Sequence, residues 1–360
     1  MRPTLADGLA ALQEYLGQSF PPELVLRADP RGEDALQLQV ARDGGWVWFE
    51  LRGEGLRRLR LEEDRRLPGV PRLAELQAAG EGELLAWRPG KRATLRATDL
   101  GRVFKAFRAG RATAAADRFR WAAEATAGTG LRVPTVLCLE ETRDILELEL
   151  LPGAPFELLT DQADSFYRLG HGLRQFQEQG RGRFPELALH DRAREEAVLD
   201  DLAHRVIDVC GALPEGWQEA RRLVSEASGA AKPGELVPTH RDLHDGQLLD
   251  GERQIGLLDF DLLCQAEPAL DVANLSAHLR LRAIQRSSGA TEGSVEELSL
   301  ALLDGFDRGA EEGFLESLRY YQATTFLRLA LVYSLRPKWL SIVPSLVALS
   351  ERCAHEVGPV

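Results

Sequence analysis

The stretch Thr239-His240-Arg241-Asp242-Leu243-His244-Asp245-Gly246-Gln247, followed by Leu257-Leu258-Asp259-Phe260-Asp261, limits what this chain can fold into more than any other feature. Glu235-Leu236-Val237-Pro238 leads in and Gln247-Leu248-Leu249 leads out. Asp250-Gly251 marks a turn, and Gln254 to Asp259 is a short apolar run. The pattern predicts a polar loop joined to a hairpin of short strands. A His-Arg-Asp triplet by itself arises by chance, and its acids then read as surface turn carboxylates beside a solvated histidine. An amide five residues after Asp242, and an apolar strand ending in Asp-Phe-Asp seventeen residues after it, make the combination far more specific.

These residue types in this order suit phosphoryl transfer, which asks a protein mainly to position an acceptor hydroxyl, hold Mg²⁺ and neutralise developing charge. Asp242 is placed to accept the hydroxyl proton. Gln247, at the far end of the same loop, is placed to offer an amide oxygen to a metal, and Asp259 a carboxylate. Mg²⁺ takes hard oxygen ligands and keeps several waters, so one carboxylate, one amide oxygen and nucleotide phosphates suffice. Protein kinases carry Asn where Gln247 stands, and the extra methylene moves the amide oxygen by about one carbon–carbon bond.

The run from His240 to Asp271, including Ala266-Glu267-Pro268-Ala269-Leu270-Asp271-Val272-Ala273, resembles the catalytic core of the aminoglycoside phosphotransferase and choline kinase superfamily of small-molecule kinases. Asp259-Phe260-Asp261 replaces the Asp-Phe-Gly of protein kinases and no Ala-Pro-Glu follows, which disfavours protein kinase activity. Gln247 also resembles the maltokinase-like branch, a pointer to a sugar acceptor. The resemblance implies a bilobal, protein-kinase-like α+β fold, with a small β-rich nucleotide lobe at 80–152, a mainly helical lobe at 153–360, and an interlobe hinge at Leu151-Pro152-Gly153-Ala154-Pro155. It implies ATP, or another nucleoside triphosphate, and Mg²⁺. It makes Lys105, within Gly101-Arg102-Val103-Phe104-Lys105-Ala106-Phe107, the lysine that pairs nucleotide phosphates. The residue-level alternative is a snorkelling edge-strand lysine. It also calls for a helical carboxylate to hold that lysine, taken as Glu124, with Asp117 competing. Asp271 is expected to hydrogen-bond the catalytic loop and His240 to brace it. Asp261 either assists metal binding or orders the loop.

Upstream, Glu83–Trp87, Ala93–Ala97 and Arg102–Phe107 read as a β-meander, Arg111–Ala127 as a helix, and Val133–Leu139 with Ile145–Leu151 as a second hairpin. Lys91 and Arg92 lie at the first hairpin, where no G-x-G-x-x-G occurs. Either backbone amides and these cations meet phosphates there, or both are solvated turn residues. Asp161–Gln177, Ala193–Leu213, Trp217–Ala227 and most of Glu312–Ala354 have helical periodicity. Tyr320, Tyr321, Phe326 and Tyr333 read first as core, with acceptor-pocket lining as the alternative. His244 reads as a satisfied loop residue or as one facing the acceptor, and no zinc-ligand spacing occurs. Residues 1–79, with a helix at Leu5–Leu16 and a hairpin around Asp43-Gly44-Gly45, read as an extension packed on the nucleotide lobe that adds to its sheet, or as a separate module.

The 360 residues, 44 % of them hydrophobic, are enough for two sizeable cores. A net charge of −12 argues against broad nucleic-acid or anionic-membrane binding. Cys138, Cys210, Cys264 and Cys353 form no CxxC pair and fit a reducing, cytoplasmic setting. No apolar run reaches transmembrane length. The expected partner is a small-molecule hydroxyl acceptor, a sugar in the first reading and an amino alcohol or aminoglycoside in the second. A pseudokinase, binding nucleotide without turnover, is the competing class. Acceptor identity and oligomeric state stay open at this level.

Overall fold

In Ala35–Arg42 the side chains of Leu36, Leu38 and Val40 are fully buried, the two-residue alternation that sets one face of a strand on a core. The computed structural model describes residues 2–17, 19–42, 44–53, 55–156, 158, 162–251, 253–286, 290–307 and 311–357. Asp43 of the expected first turn, Glu54, and Asp161, the expected start of a helix, lie outside them. The described residues form a mixed α+β structure with β-rich N-terminal sheets and a helical C-terminal part. They make two compact units, each assembled from discontinuous segments.

The first unit comprises Met1–Arg60, Arg192–Lys232 and Arg319–Val360. Helix α1 (Leu5–Leu16) starts at a reciprocal cap in which Thr4 Oγ1 accepts from Asp7 N and Asp7 Oδ2 accepts from Thr4 N. Strands β1 (Val25–Arg31), β2 (Ala35–Arg42), β3 (Gly45–Arg52) and β4 (Gly55–Leu59) pair antiparallel in chain order. β1 packs on α5 (Arg192–Cys210) and on the 3-10 turn Pro337–Ile342, and Ala28 N donates to Leu335 O at 3.0 Å. Helices α6 (Trp217–Ala230) and α10 (Val343–His355) pack together in the same unit. The expectation that residues 1–79 extend the nucleotide-lobe sheet is corrected here, because among the described residues these four strands form a sheet of their own. The boundary falls after Arg60, not at 79. Of the segment read as a single helical lobe, 192–232 and 319–360 share the core of residues 1–60. Tyr320, Tyr321, Phe326 and Tyr333, in helix α9 (Phe314–Ser334), are buried in this unit's core, where Tyr320 Oη donates to Arg192 O.

The second unit comprises Leu61–Asp191 and Pro233–Leu318. Its main sheet has the order β5 (Glu83–Arg88), β6 (Arg92–Ala97), β7 (Arg102–Phe107), β10 (Ile145–Glu149), β9 (Val136–Glu140), antiparallel throughout. Helix α2 (Val70–Ala78) packs on β6 and β7, and α3 (Ala112–Ala125) on β9 and β10. A second sheet joins β11 (Ala154–Pro155), β13 (Leu248–Asp250), β14 (Ile255–Leu257) and β8 (Leu131–Arg132), and β12 (Val237–Thr239) pairs with β15 (Cys264–Ala266). Pairing of Ala154 with Asp250 ties the expected hinge segment to the catalytic hairpin. Helix α7 (Ala269–Gln285) follows β15, and α4 (Ala163–Gly180) packs on α8 (Glu292–Phe306). Gly170 and Gly305 permit that last contact: a Cβ on Gly170 would lie 2.1 Å from Leu302 O, and one on Gly305 2.0 Å from Tyr167 O.

Candidate active site

Three backbone devices gather the polar residues of the second unit. After the antiparallel pair β13–β14, Asp259 adopts the left-handed conformation (φ 61°, ψ 64°), which turns the chain into the 3-10 segment Phe260–Leu262. An L-residue other than glycine sits there at a cost of about 1 kcal/mol, and Asp tolerates it better than most. Arg241 is also left-handed (φ 71°). Asp271, fully buried at the first turn of α7, holds this bend by accepting from His240 N at 2.8 Å and Arg241 N at 2.7 Å. Burial is the larger influence on Asp271 and raises its pKa, against the pull of His240 and the two amides.

His240 is fully buried. Its Nδ1 accepts from Asp242 N at 3.3 Å, so Nε2 carries the proton and donates to Leu258 O at 2.7 Å. One imidazole therefore spans the loop and the strand that leads to Asp259. Asn274, one turn along α7 from Asp271, donates to Arg241 O and Leu243 O. The sequence reading missed it; its spacing of three from Asp271 put it on the same helix face, which was the available signal. Between these ties Asp242 is half-buried, and its carboxylate accepts no hydrogen bond among the described residues.

Gln247 ends a 3-10 turn (Asp245–Gln247). Its carbonyl accepts from Leu258 N at 2.9 Å, and its side-chain amide lies 3.3 Å from His244 Nε2. His244 Nδ1 accepts from Gly246 N, and its ring stacks on His278 at 5.0 Å. Burial is the main influence on His244 and lowers its pKa, opposed by Asp242 and Asp245. Asp245 is held by Arg282 Nε at 2.9 and 3.1 Å.

Lys105, in the middle strand of the main sheet, is 5 % exposed and donates to Asp259 Oδ1 at 2.7 Å and Asp261 Oδ1 at 2.6 Å. Its ammonium also lies 5.5 Å from the centre of the Phe119 ring. Arg92 completes the cluster, 2.5 Å from Asp261 Oδ2 and 3.5 Å from Asp259 Oδ2. Two cations thus face two carboxylates. Burial pushes the Asp259 pKa up, but Lys105 and Arg92 outweigh it and hold the carboxyl well below the usual range.

The expected partner of Lys105 on α3 is corrected. The buried face of α3 is Ala112, Ala115, Ala116, Phe119, Ala122 and Ala125, and Glu124 is out of phase with it. Glu124 is exposed and pairs with Arg183 at 3.4 Å, while Asp117 pairs with Arg120. The lysine's carboxylates come instead from Asp259 and Asp261. The β5–β6 turn has its own backbone ties. Pro89 has no N–H, Gly90 N donates to Asp64 Oδ2 at 2.6 Å, and Lys91 N donates to Arg88 O at 2.9 Å. Its amides are taken, so side-chain cations rather than a backbone cradle are what the turn offers an anion.

Comparison with known proteins follows this geometry. The family model described as "Phosphotransferase enzyme family" matches residues 92–298. No curated protein matches the chain. Among solved structures, a choline/ethanolamine kinase family protein from Mesorhizobium loti aligns with TM-score 0.53 at 18 % identity, over 81 % of this chain and 100 % of that one. An amicoumacin kinase in complex with AMP-PNP and Ca²⁺ aligns with TM-score 0.58 at 13 % identity, over 80 % and 95 %. An aminoglycoside phosphotransferase from Streptomyces rimosus aligns with TM-score 0.50 at 20 % identity, over 73 % and 97 %. At these identities the alignments speak for the kinase-like fold, and none of them supports the maltokinase-like branch. Among the described residues no helix is long and apolar enough to cross a membrane. The chain belongs to the phosphotransferase enzyme family, whose model matches more than half of it, and it is a phosphotransferase.

Proposed function

We propose that the protein transfers the terminal phosphoryl group of ATP to a hydroxyl of a small molecule, with Mg²⁺. The observation that carries this reading is the pairing of buried Lys105 with Asp259 and Asp261, from sequence positions more than 150 apart, with Asp259 seventeen residues along the chain from a half-buried Asp242 whose carboxylate accepts no hydrogen bond among the described residues. Asp242 accepts the acceptor's proton as the hydroxyl attacks. Gln247 and Asp259 supply the hard oxygens a divalent ion requires, with Asp261 as the further carboxylate beside them. The donor set fits: Asp259 is held ionised at neutral pH, and the Gln247 backbone is fixed by Leu258. Mg²⁺, when bound, neutralises charge on the phosphates and keeps them in line with the acceptor. Lys105 and Arg92 are the cations for the nucleotide's phosphates, with Lys91 at the turn. His240 and Asp271 hold the loop so that Asp242 keeps one orientation.

Gln247, in place of Asn, points the acceptor toward a sugar; an amino alcohol or aminoglycoside is the alternative class. Four free cysteines, Cys264 and Cys353 among them buried, suit work in a reducing cytoplasm. The test is steady-state ADP release from Mg²⁺-ATP across sugars, amino alcohols and aminoglycosides. Stimulation by one class names the acceptor. Tight nucleotide binding with no stimulation by any class contradicts the transferase reading and favours a nucleotide-sensing module.

A further inference from the structure

The β5–β6 turn, the end of β7 and the outer side of α3 border a cavity of about 280 Å³ whose wall carries Arg88, Lys91, Arg92, Arg108, Arg111 and Arg118. One carboxylate, Asp261, lines it with them, and that carboxylate already faces Lys105 and Arg92. In a chain of net charge −12, six cations gathered on one wall are a strong local reversal. Such a wall repels itself and attracts anions. Arg118 is the most telling of them. It stands one position before the buried Phe119 on α3. Its Nε is buried without a hydrogen-bond partner among the described residues. Burial and Arg111 push its pKa down, with Asp261 and Asp117 opposing.

Part of the backbone on this wall is already engaged. Asp144 Oδ1 accepts from Arg111 N and Ala112 N at the start of α3. The turn amides are taken by Asp64 and Arg88, as described above. Arg108 Nε donates to Gly90 O, so this guanidinium straps the turn in place. What Arg111 and Arg118 add is a pair of guanidinium forks, the geometry that matches a tetrahedral oxyanion.

We infer that this cavity binds a phosphate-class anion through Arg118 and Arg111, residues outside the catalytic set. The inference does not rest on the proposed reaction. The occupant is a free phosphoanion, such as inorganic phosphate or a phosphorylated metabolite, held beside the nucleotide's own phosphates.

Isothermal titration calorimetry on the full chain tests it, with inorganic phosphate and with Mg²⁺-AMP-PNP as probes. Wild type is expected to bind phosphate. Arg118→Gln should weaken it by about tenfold or more, the scale of one charge-assisted contact. Arg111→Gln should weaken it less, and Arg118→Lys should recover part of the loss. Arg118→Gln should leave Mg²⁺-AMP-PNP affinity within about twofold while weakening phosphate, which separates this site from the catalytic reading. Simultaneous binding of phosphate and AMP-PNP is expected; full competition between them would place phosphate in the nucleotide's own site and overturn the inference. Identical phosphate isotherms for wild type, Arg118→Gln and Arg111→Gln overturn the inference, as does the absence of phosphate binding. Circular dichroism and melting temperature establish that each variant is folded.

Discussion

Lys105 and Glu124 show how far a single residue can be read from sequence. Lys105 was legible through the family resemblance, which places a lysine in the third strand, while the residues alone left a snorkelling edge-strand lysine open. Its partners were not, since a carboxylate 154 positions away leaves no local trace. Glu124 failed for a reason the sequence does contain: the alanines and Phe119 of α3 already mark the buried stripe, and Glu124 stands off it. Glu124→Ala should therefore change nucleotide affinity by less than about twofold and stability by under about 0.5 kcal/mol, the scale of an exposed ion pair. A tenfold loss of affinity in that variant would restore the helical carboxylate to the site. Asp259 makes a pH prediction. Its folded-state pKa lies below the unfolded value of about 3.9. Its contribution to stability is thus fully present above about pH 4 and is lost as pH falls through the folded-state pKa. Chemical denaturation of wild type and Asp259→Asn should show a stability difference that is constant from neutral pH to about pH 5 and shrinks under acid. A difference that grew on acidification would have the wrong sign.

Elements were easier to read than the ties between them. β7 and α1 fall at the bounds their periodicity predicted, and the β13–β14 hairpin forms across the expected turn. What fixes those elements came from farther away. Asp64 accepts from Trp87 Nε1 at 2.9 Å as well as from Gly90 N, and so pins the β5–β6 turn from a segment that precedes α2. Asp64→Ala leaves two part-buried donors without their acceptor, at a cost of about 1–3 kcal/mol for an unmade buried bond. The measurement is the melting temperature together with hydrogen exchange at Trp87 to Arg92. Exchange there should rise well above that of β13–β14, and unchanged protection would show that the turn does not depend on Asp64. The helix that carries Asp271 and Asn274 follows the same lesson: the motif named Asp271, while Asn274 needed helix phase to be seen.

At the scale of the molecule, the sequence conveyed the α+β class and the order of the catalytic segments but not which remote pieces share a core. Local periodicity says that β1 and β2 have an apolar face; it does not say that α5 and the 337–342 turn cover it. Hence residues 1–79 were read as an extension of the nucleotide lobe, although contacts group 1–60 of them with 192–232 and 319–360. Leu38 is fully buried in that core, and Leu38→Ala should cost about 3 kcal/mol. Hydrogen exchange should accelerate in β1–β4 and α5 more than in β14 and α7. Acceleration confined to β14 and α7 would contradict the grouping. The account as a whole turns on Asp242 as the base of a phosphoryl transfer, and single-turnover kinetics of Asp242→Asn with Mg²⁺-ATP and the stimulating acceptor test it most directly. The account predicts a rate lowered by about 10²–10⁴ with nucleotide affinity within about threefold of wild type; a variant that turns over at the wild-type rate would contradict it.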